Sequence, residues 1–427
     1  MKKRIVAIMM MFVMTATLFA GCGKGSASGT EQSTEGAHEV VNGGMELDSG
    51  DVELKIWCAE EEISLMTSVC QNFASKHQGE ANFSFVIEPM PEGEAIKSLL
   101  NDIENAPDVF CFVDDPGKLV AGGAISPVQN ADEVASANSA GAVSTATIND
   151  VLYAYPMTAD NGYFLYYDKS VFSEEDVASW DSLLAAASAS GKKVTFDFTS
   201  GWYLYGFFGQ TDLKVGLNDD GISNHCNWND TTTSIKGIDV TNAILNISGN
   251  PAFYNTNDDG LKEGAANGTV AAGVSGVWLA SSLEEAWGEN LAATKLPTYT
   301  CNGTQIQMGS FAGYKMCGVS AYSEHVGWSH ELANWITNEE NQLLRFKERG
   351  LGPANINASN SPEVQASVPL QGLMAQSPYT ELQKIGGAYW EPVGTYGGML
   401  ASGDFGGKDI QKVLDEMVEE ITSSNSK

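Results

Sequence analysis

The chain has 427 residues and a formal net charge of −31, with 54 acidic side chains against 23 basic ones. This balance argues against partners such as nucleic acid and anionic lipid surfaces, whose phosphates favour Lys and Arg. A hydrophobic fraction of 43% is enough for ordinary globular cores, and the length predicts two domains.

The first 22 residues predict export and lipidation. Basic residues at 2–4 precede an apolar run over 5–20, which ends in small residues just before Cys22. These features are typical of a secretory signal, and the segment that ends at Cys22 resembles the bacterial lipobox, in which that thiol is diacylated. The run is shorter than the roughly 20 residues that span a bilayer. We therefore expect a signal peptide at 1–21 and a lipid anchor at Cys22; an ordinary signal peptide with an incidental cysteine is the alternative.

Residues 22–51 are rich in Gly and Ser and have no apolar periodicity, which predicts a flexible tether. The protein would then be held on the extracellular face of the membrane of a Gram-positive bacterium, through its lipid alone.

After the tether, apolar patterns of strand and helix type alternate along the chain. The predicted strands are 53–57, 82–88, 109–113, 163–167 and 193–198, and the predicted helices are 63–77, 94–104, one beginning at 118, 180–189 and 329–345. Strands that alternate with helices imply βαβ units and mostly parallel sheets, which defines an α/β fold.

Six cysteines remain besides Cys22, and no two of them have CxxC spacing. Zinc binding is therefore not predicted. We expect mostly free, buried thiols, although the sequence leaves disulfides open. These cysteines are Cys58, Cys70, Cys111, Cys226, Cys301 and Cys317.

Five sequence blocks occur in an order that is informative as a whole. They are LKIWCAEEE at 54–62; APDVF at 106–110 with the acids 114–115 and LVAGGAISP at 119–127; the stretch 155–169; GAANGTVA at 264–271 with GVW at 276–278; and MGSF at 308–311 with the helix at 329–345. This order resembles the extracellular solute-binding proteins of ABC sugar importers, and most of all their maltose-binding branch.

The resemblance implies a two-lobe, periplasmic-binding-protein-like fold in which the chain crosses between the lobes more than once. By position, lobe one takes 52–157 and 306–352, and lobe two takes 158–305 and 353–427. Ligand would bind in the cleft between the lobes and close it by hinge motion.

Several acids follow strands, and the carboxyl ends of strands line the ligand crevice in open α/β sheets. Carboxylates suit sugar hydroxyls because charge-assisted hydrogen bonds are short and strong. The resemblance implies that Glu61 and Asp115 contact hydroxyls and that Asp160 is a hinge-side acid. The alternative is a solvated acidic loop. The complete set of candidate acids is Glu60, Glu61, Asp114, Asp115 and Asp160.

The sequence departs from the maltose-binding pattern at three positions, where Ala59, Glu62 and Pro116 replace hydrogen-bond donors. We therefore do not expect the same disaccharide in the same pose.

Aromatic rings would cover the apolar faces of a sugar. The resemblance implies stacking by Trp202 or Tyr203, by Trp278 and by Tyr396, and neighbouring glycines would let a ligand approach. Core packing is the alternative for any of them. Four further tryptophans fall within predicted helices and are expected in the core: Trp180, Trp287, Trp328 and Trp335.

Motifs of enzymes and cofactor sites are missing from the sequence. There is no GxSxG, HExxH or P-loop, and the five His are not paired at metal spacing. The segment 255–260 imitates the start of a calcium loop, but Ala266 occupies position twelve, where Glu is required. We predict no catalysis, no cofactor and no metal.

The sequence therefore predicts a monomeric, lipid-anchored receptor that captures malto-oligosaccharides and delivers them to an ABC permease. A receptor for xylo-, arabino- or galacto-oligosaccharides is the alternative within this class. A secreted glycoside hydrolase that uses two of the acids is the remote alternative.

Overall fold

The computed structural model describes residues 47–113, 116–218 and 222–423. The predicted signal peptide, Cys22, the tether up to residue 46, and the acids Asp114 and Asp115 lie outside the described residues.

Seventeen strands lie within these ranges. They are β1 Asp51–Cys58, β2 Asn82–Pro89, β3 Val109–Val113, β4 Thr147–Ile148, β5 Val151–Leu152, β6 Tyr155–Gly162, β7 Phe164–Asp168, β8 Lys193–Phe196, β9 Val215–Leu217, β10 Asn224–Cys226, β11 Phe253–Asn255, β12 Val270–Ser275, β13 Leu291–Thr294, β14 Thr298–Cys301, β15 Thr304–Gln307, β16 Ser310–Val319 and β17 Thr380–Leu382.

The same residues form seventeen α-helices. They are α1 Ile63–Lys76, α2 Glu92–Asn101, α3 Gly117–Ala121, α4 Ala131–Ala137, α5 Ala140–Ala146, α6 Trp180–Ser190, α7 Gly201–Leu204, α8 Gly237–Ser248, α9 Asp258–Ala266, α10 Ala280–Trp287, α11 Val326–Ile336, α12 Glu339–Arg349, α13 Ile356–Ser359, α14 Pro362–Gln365, α15 Val368–Gln376, α16 Trp390–Ser402 and α17 Ile410–Thr422.

The first lobe is built on a six-stranded sheet with the order β17-β16-β3-β1-β2, in which β6 also pairs with β16. Strand β1 runs parallel to β2 and β3, whereas β16 runs antiparallel to β3 and β6. Alternate residues of β1 are fully buried, as the period of two requires. Helices α1 and α11 cover this sheet, and their side chains Phe73 and Trp328 meet edge to face at 6.1 Å.

The second lobe is built on a five-stranded sheet with the order β11-β8-β12-β7-β13. Strands β11 and β12 run parallel to β8, and β7 runs antiparallel to β12 and β13. Its core includes fully buried rings from helices and strands, among them Trp180, Phe196 and Tyr389. Both sheets therefore combine parallel pairs with antiparallel pairs.

The chain passes between the two sheets more than once, as predicted. Strand β6 of the first sheet ends at Gly162, and β7 of the second begins at Phe164. Strand β16 returns to the first sheet. Helix α15 lies on the second lobe, where Gly372 contacts Phe164, and β17 then pairs with β16 again. The exact lobe boundaries given above stay a prediction.

The local predictions are confirmed for most elements of the first half. The five predicted strands correspond to β1, β2, β3, β7 and β8, with ends that differ by two residues at most. The single helix predicted at 329–345 is wrong, because α11 and α12 divide this segment. Asn338 starts the second helix, since its side chain accepts a hydrogen bond from the backbone N–H of Asn341 at 2.8 Å.

The six cysteines within the described ranges are free thiols, and five of them are buried. Trp180, Trp287 and Trp328 are buried as predicted, and Trp335 packs half-buried against the first core. Within the described ranges, no helix combines the length and the apolar character needed to cross a membrane.

Candidate functional site

A large cavity lies between the two sheets, with a volume of about 1020 Å³. Its wall combines residues of the first lobe, residues of the second lobe and the segment that enters α15. The lining residues with charged or aromatic side chains are Glu61, Glu62, Asp160, Lys169, Trp278, Glu284, Glu289, Lys315, Phe346, Lys347, Glu348, Arg349 and Glu363.

The turn after β1 brings two acids to this cavity. Residues Glu60–Glu62 form a short 3-10 helix between β1 and α1. Glu61 is exposed and lines the cavity, and so does Glu62, which is only 2% exposed. Glu60 is exposed on the same turn but is not among the lining residues.

Glu62 is held by arginines from α12. Its Oε2 accepts a hydrogen bond from Nε of Arg345 at 2.9 Å, and Arg345 is itself 1% exposed. Nitrogens of Arg349 lie 3.8 Å from Glu61 Oε1 and 3.9 Å from Glu62 Oε1. The position where the sequence lacks the expected basic donor therefore has positive charge nearby, supplied by another part of the chain.

Asp160 lies on β6, where the chain leaves the first sheet, and it is 2% exposed. Its Oδ2 accepts a hydrogen bond from the backbone N–H of Gly352 at 2.7 Å. Burial raises the pKa of this carboxyl, and the charge of Lys315 opposes the shift. Lys315 in turn lies 3.0 Å from Oε1 of Glu92. The cavity therefore contains a buried acid close to a compensating cation.

Trp278 provides an exposed aromatic face in the cavity wall, with 47% of the residue accessible. It follows β12 in a short 3-10 turn, Val277–Leu279. Its indole Nε1 donates to Oδ2 of Asp258 at 2.7 Å. A large ring that is half exposed yet hydrogen-bonded at its edge is suited to stacking against a ligand.

Trp202 and Tyr203 lie beside Trp278. The ring centroids of Trp202 and Trp278 are 5.7 Å apart with an interplanar angle of 42°. Trp202 is half-buried, whereas Tyr203 is buried and bonds Oδ1 of Asp258 at 3.3 Å. The structure thus brings three predicted aromatics together, and Trp278 is the one that lines the cavity.

Tyr396 is not brought to the cavity. It lies in α16 with 1% exposure, and its hydroxyl is 2.6 Å from the hydroxyl of Thr241. Its ring is enclosed by the core of the second lobe. A ligand therefore has no access to the stacking face that was predicted here.

Four residues that line or support the cavity were not among the candidates predicted from the sequence: Lys169, Lys315, Arg349 and Asp258. The segment 255–260, whose sequence imitates the start of a calcium loop, begins a helix and supports Trp278. Asn257 is the N-cap of α9 and accepts from the N–H of Gly260 at 3.2 Å, while Asp258 bonds Trp278. No group of three or more metal-ligating side chains occurs among the described residues.

Comparisons with known proteins agree with this arrangement. Residues 68–371 match the family described as bacterial extracellular solute-binding protein. The galactooligosaccharide-binding protein of Bacillus subtilis (strain 168) is 24% identical over 395 residues, which cover 88% of this chain and 86% of the relative.

Two solved structures share the fold over nearly their whole length. One, a structure with acarbose, has a TM-score of 0.74 at 27% identity and covers 87% of this chain and 99% of that chain. The maltodextrin-binding protein from L. casei BL23, without ligand, has a TM-score of 0.74 at 23% identity, with coverages of 88% and 100%. The family model matches residues 68–371, which is more than half of the chain, and this match shows that the chain belongs to the bacterial extracellular solute-binding protein family.

Proposed function

We propose that this protein is a lipid-anchored receptor that captures malto-oligosaccharides and presents them to an ABC permease. The observation that carries the proposal is Trp278, an exposed and hydrogen-bonded indole in the wall of a cavity that also contains the carboxylates of Glu61 and Asp160. A pyranose has apolar faces and a rim of hydroxyl donors, and this combination of groups matches both.

The size of the cavity favours an oligosaccharide. Its volume of about 1020 Å³ lies at the top of the range of roughly 300–1,000 Å³ that is usual for small-molecule sites. A single sugar ring would leave most of this space to water. Closure of the lobes around a longer chain would remove the water and bring groups from both lobes to the ligand.

In this proposal the ligand contacts Glu61, Asp160 and Trp278, with Trp202 and Tyr203 supporting the aromatic wall. Asp114 and Asp115 follow β3 in sequence and stay predicted contacts. The protein itself supplies binding and closure without a chemical step, and the sugar is released unchanged.

A galacto-oligosaccharide is the second candidate ligand. The relative from Bacillus subtilis, which aligns over 88% of this chain, is named as a galactooligosaccharide-binding protein. Glu62, where the maltose-binding pattern has a basic donor, also favours a change in sugar or pose.

Isothermal titration calorimetry with a sugar panel tests the proposal. The panel contains maltose, maltotriose, maltotetraose and acarbose, together with galacto-, xylo- and arabino-oligosaccharides. We expect binding of the α-glucans, and at 100 times Kd a stabilisation of about 2.7 kcal/mol in parallel thermal unfolding. Binding of another class alone would reject the malto-oligosaccharide assignment, and shortened products on chromatography would reject the receptor role.

A further inference from the structure

We infer that Asp258 is a positioning residue that fixes the Trp278 indole before any ligand arrives. The inference rests on the proposed function, because it assigns to Asp258 the task of presenting one face of Trp278 to a sugar. Asp258 is the first residue of α9 and belongs to the segment 255–260, whose sequence imitates the start of a calcium loop.

The carboxylate of Asp258 is shared among three donors. Oδ2 accepts from Trp278 Nε1 at 2.7 Å, and Oδ1 accepts from the hydroxyl of Ser275 at 2.8 Å and from that of Tyr203 at 3.3 Å. Ser275 is fully buried and Tyr203 is 7% exposed. Two buried hydroxyls therefore orient the carboxylate, and the oriented carboxylate holds the indole.

The opposite edge of the indole is fixed by close contact with the backbone. A Cβ on Gly276 would lie 2.1 Å from the ring atoms Cη2 and Cζ3 of Trp278, so the ring rests directly on this glycine. The carbonyl of Gly276 accepts from the hydroxyl of the buried Tyr166 at 3.1 Å. With one edge on Gly276 and its N–H on Asp258, the ring has a defined orientation although it is half exposed.

Such fixation matters for affinity. A free indole on the surface would lose rotamer freedom when a sugar stacks on it, whereas a ring that is already held loses little. Asp258 therefore acts on the ligand through Trp278, and it needs no contact with the sugar itself.

A double-mutant cycle on the full protein tests this. We expect Asp258→Ala to weaken binding of maltotetraose about three- to tenfold, the range for restoring freedom to one large side chain. In the Trp278→Phe background, which has no indole N–H, Asp258→Ala should change the affinity by less than about twofold. Asp258→Asn keeps an acceptor for the indole and should lie between wild type and Asp258→Ala. Asp259→Ala, at the exposed next position, is the matched control and should bind as wild type.

The outcomes separate the inference from the proposed function. Equal losses from Asp258→Ala in both backgrounds, or no loss in the wild-type background, would overturn the positioning role. If the wild type binds no sugar of the panel, the proposed function fails, but a measurement without ligand still tests the positioning role of Asp258.

That measurement is the solvent exchange of the Trp278 Nε1–H, whose signal in 15N-labelled protein is assigned by its loss in Trp278→Phe. Exchange should be faster in Asp258→Ala and in Asp258→Asn than in wild type. Unchanged exchange would overturn the inference.

Discussion

Asp160 and Gly352 join two stretches of backbone beside the cavity. The carboxylate of Asp160 accepts the backbone N–H of Gly352 at 2.7 Å, and the N–H of Ala159 donates to the carbonyl of Gly352 at 2.9 Å. Asp160 belongs to β6, which leads toward the second lobe, and Gly352 follows α12 of the first. A single acid therefore lines the candidate ligand site and also stabilises the region where the chain crosses between lobes.

Replacing Asp160 separates these two roles. Asp160→Ala leaves the N–H of Gly352 without its acceptor and should lower the free energy of unfolding by about 1–3 kcal/mol. Asp160→Asn keeps an acceptor oxygen and removes the buried charge, so it should be at least as stable as wild type at pH 7. Both variants should bind sugar more weakly. Urea unfolding and calorimetry measure the two effects.

The pH dependence gives a further check on Asp160. Burial raises the pKa of its carboxyl in the folded protein. The folded state therefore binds this proton more tightly than the unfolded state does. The free energy of unfolding consequently falls as pH rises from the pKa of an ordinary Asp side chain to the raised pKa of Asp160. The difference in unfolding free energy between wild type and Asp160→Asn should follow that loss. A difference that stays constant between pH 3.5 and 7 would contradict the raised pKa.

His330 should make the protein sensitive to mild acid. It is 4% exposed, with its ring nitrogens 3.0 Å from the hydroxyl of Ser126 and 2.9 Å from that of Tyr155. Burial lowers its pKa to about 4. Since the unfolded chain takes up this proton near pH 6.5, stability is lost as pH falls from about 6.5 toward 4.

The expected loss for His330 is about 2 kcal/mol between pH 7 and pH 5. His330→Gln retains hydrogen-bonding groups and cannot titrate, so its unfolding free energy should change less over the same interval. Urea unfolding at the two pH values measures both proteins. If the unfolding free energies of wild type and His330→Gln change equally between pH 7 and pH 5, His330 does not control the acid sensitivity.

The buried pair of Glu62 and Arg345 should be costly to break on one side. Glu62→Gln leaves the guanidinium of Arg345 buried without its counter-charge, and we expect a loss of about 3–5 kcal/mol in urea unfolding. The double variant Glu62→Leu with Arg345→Met should recover most of this loss, because it removes both charges.

An exposed pair provides the control for this prediction. Lys97 and Glu94 lie 3.9 Å apart on α2 with side chains 77% and 61% exposed, so Glu94→Gln should leave stability almost unchanged. If Glu62→Gln were as mild as Glu94→Gln, the buried pair would contribute nothing.

The features that could be predicted from the sequence are those set by residues close together along the chain. Strands β1 and β3 follow from short apolar runs, and α1 follows from its helical spacing. The acidic turn at Glu61 was predicted to line a ligand crevice because it follows a strand, and the structure places it at the cavity. These features are local, so a single sequence contains them.

Contacts between distant segments could not be predicted in this way. Glu62 pairs with Arg345, which lies 283 positions later in the chain, and no sequence pattern near Glu62 indicates this partner. The structure buries Tyr396 instead of exposing its ring to a ligand, because the neighbouring Gly397 does not make room for one. Instead a Cβ at Gly397 would lie 1.7 Å from the carbonyl oxygen of Phe198, so this glycine allows α16 to pack closely on the second lobe.

The predicted anchor can be tested apart from the binding site. Cys22→Ser should release the protein from the membrane fraction into the medium, because the thiol that carries the lipid is lost, while the Kd for the sugar should stay unchanged. Fractionation of cells with an immunoblot, and calorimetry on the released protein, measure the two effects. Retention in the membrane fraction would reject lipidation at Cys22.

Gly276→Ala should weaken ligand binding with little loss of stability. The new Cβ would lie 2.1 Å from the indole of Trp278, and the backbone beneath it is held by Tyr166, so the ring has to move. Movement would strain the hydrogen bond to Asp258 and tilt the exposed face, which is why affinity should fall about tenfold or more. Stability should change little, since Trp278 is half exposed and can shift toward solvent.

Gly93→Ala in α2, where a Cβ meets nothing within 4 Å, is the matched control and should bind as wild type. Calorimetry and thermal unfolding on both variants decide the matter, and equal affinities for the two would show that the orientation of Trp278 is unimportant for binding.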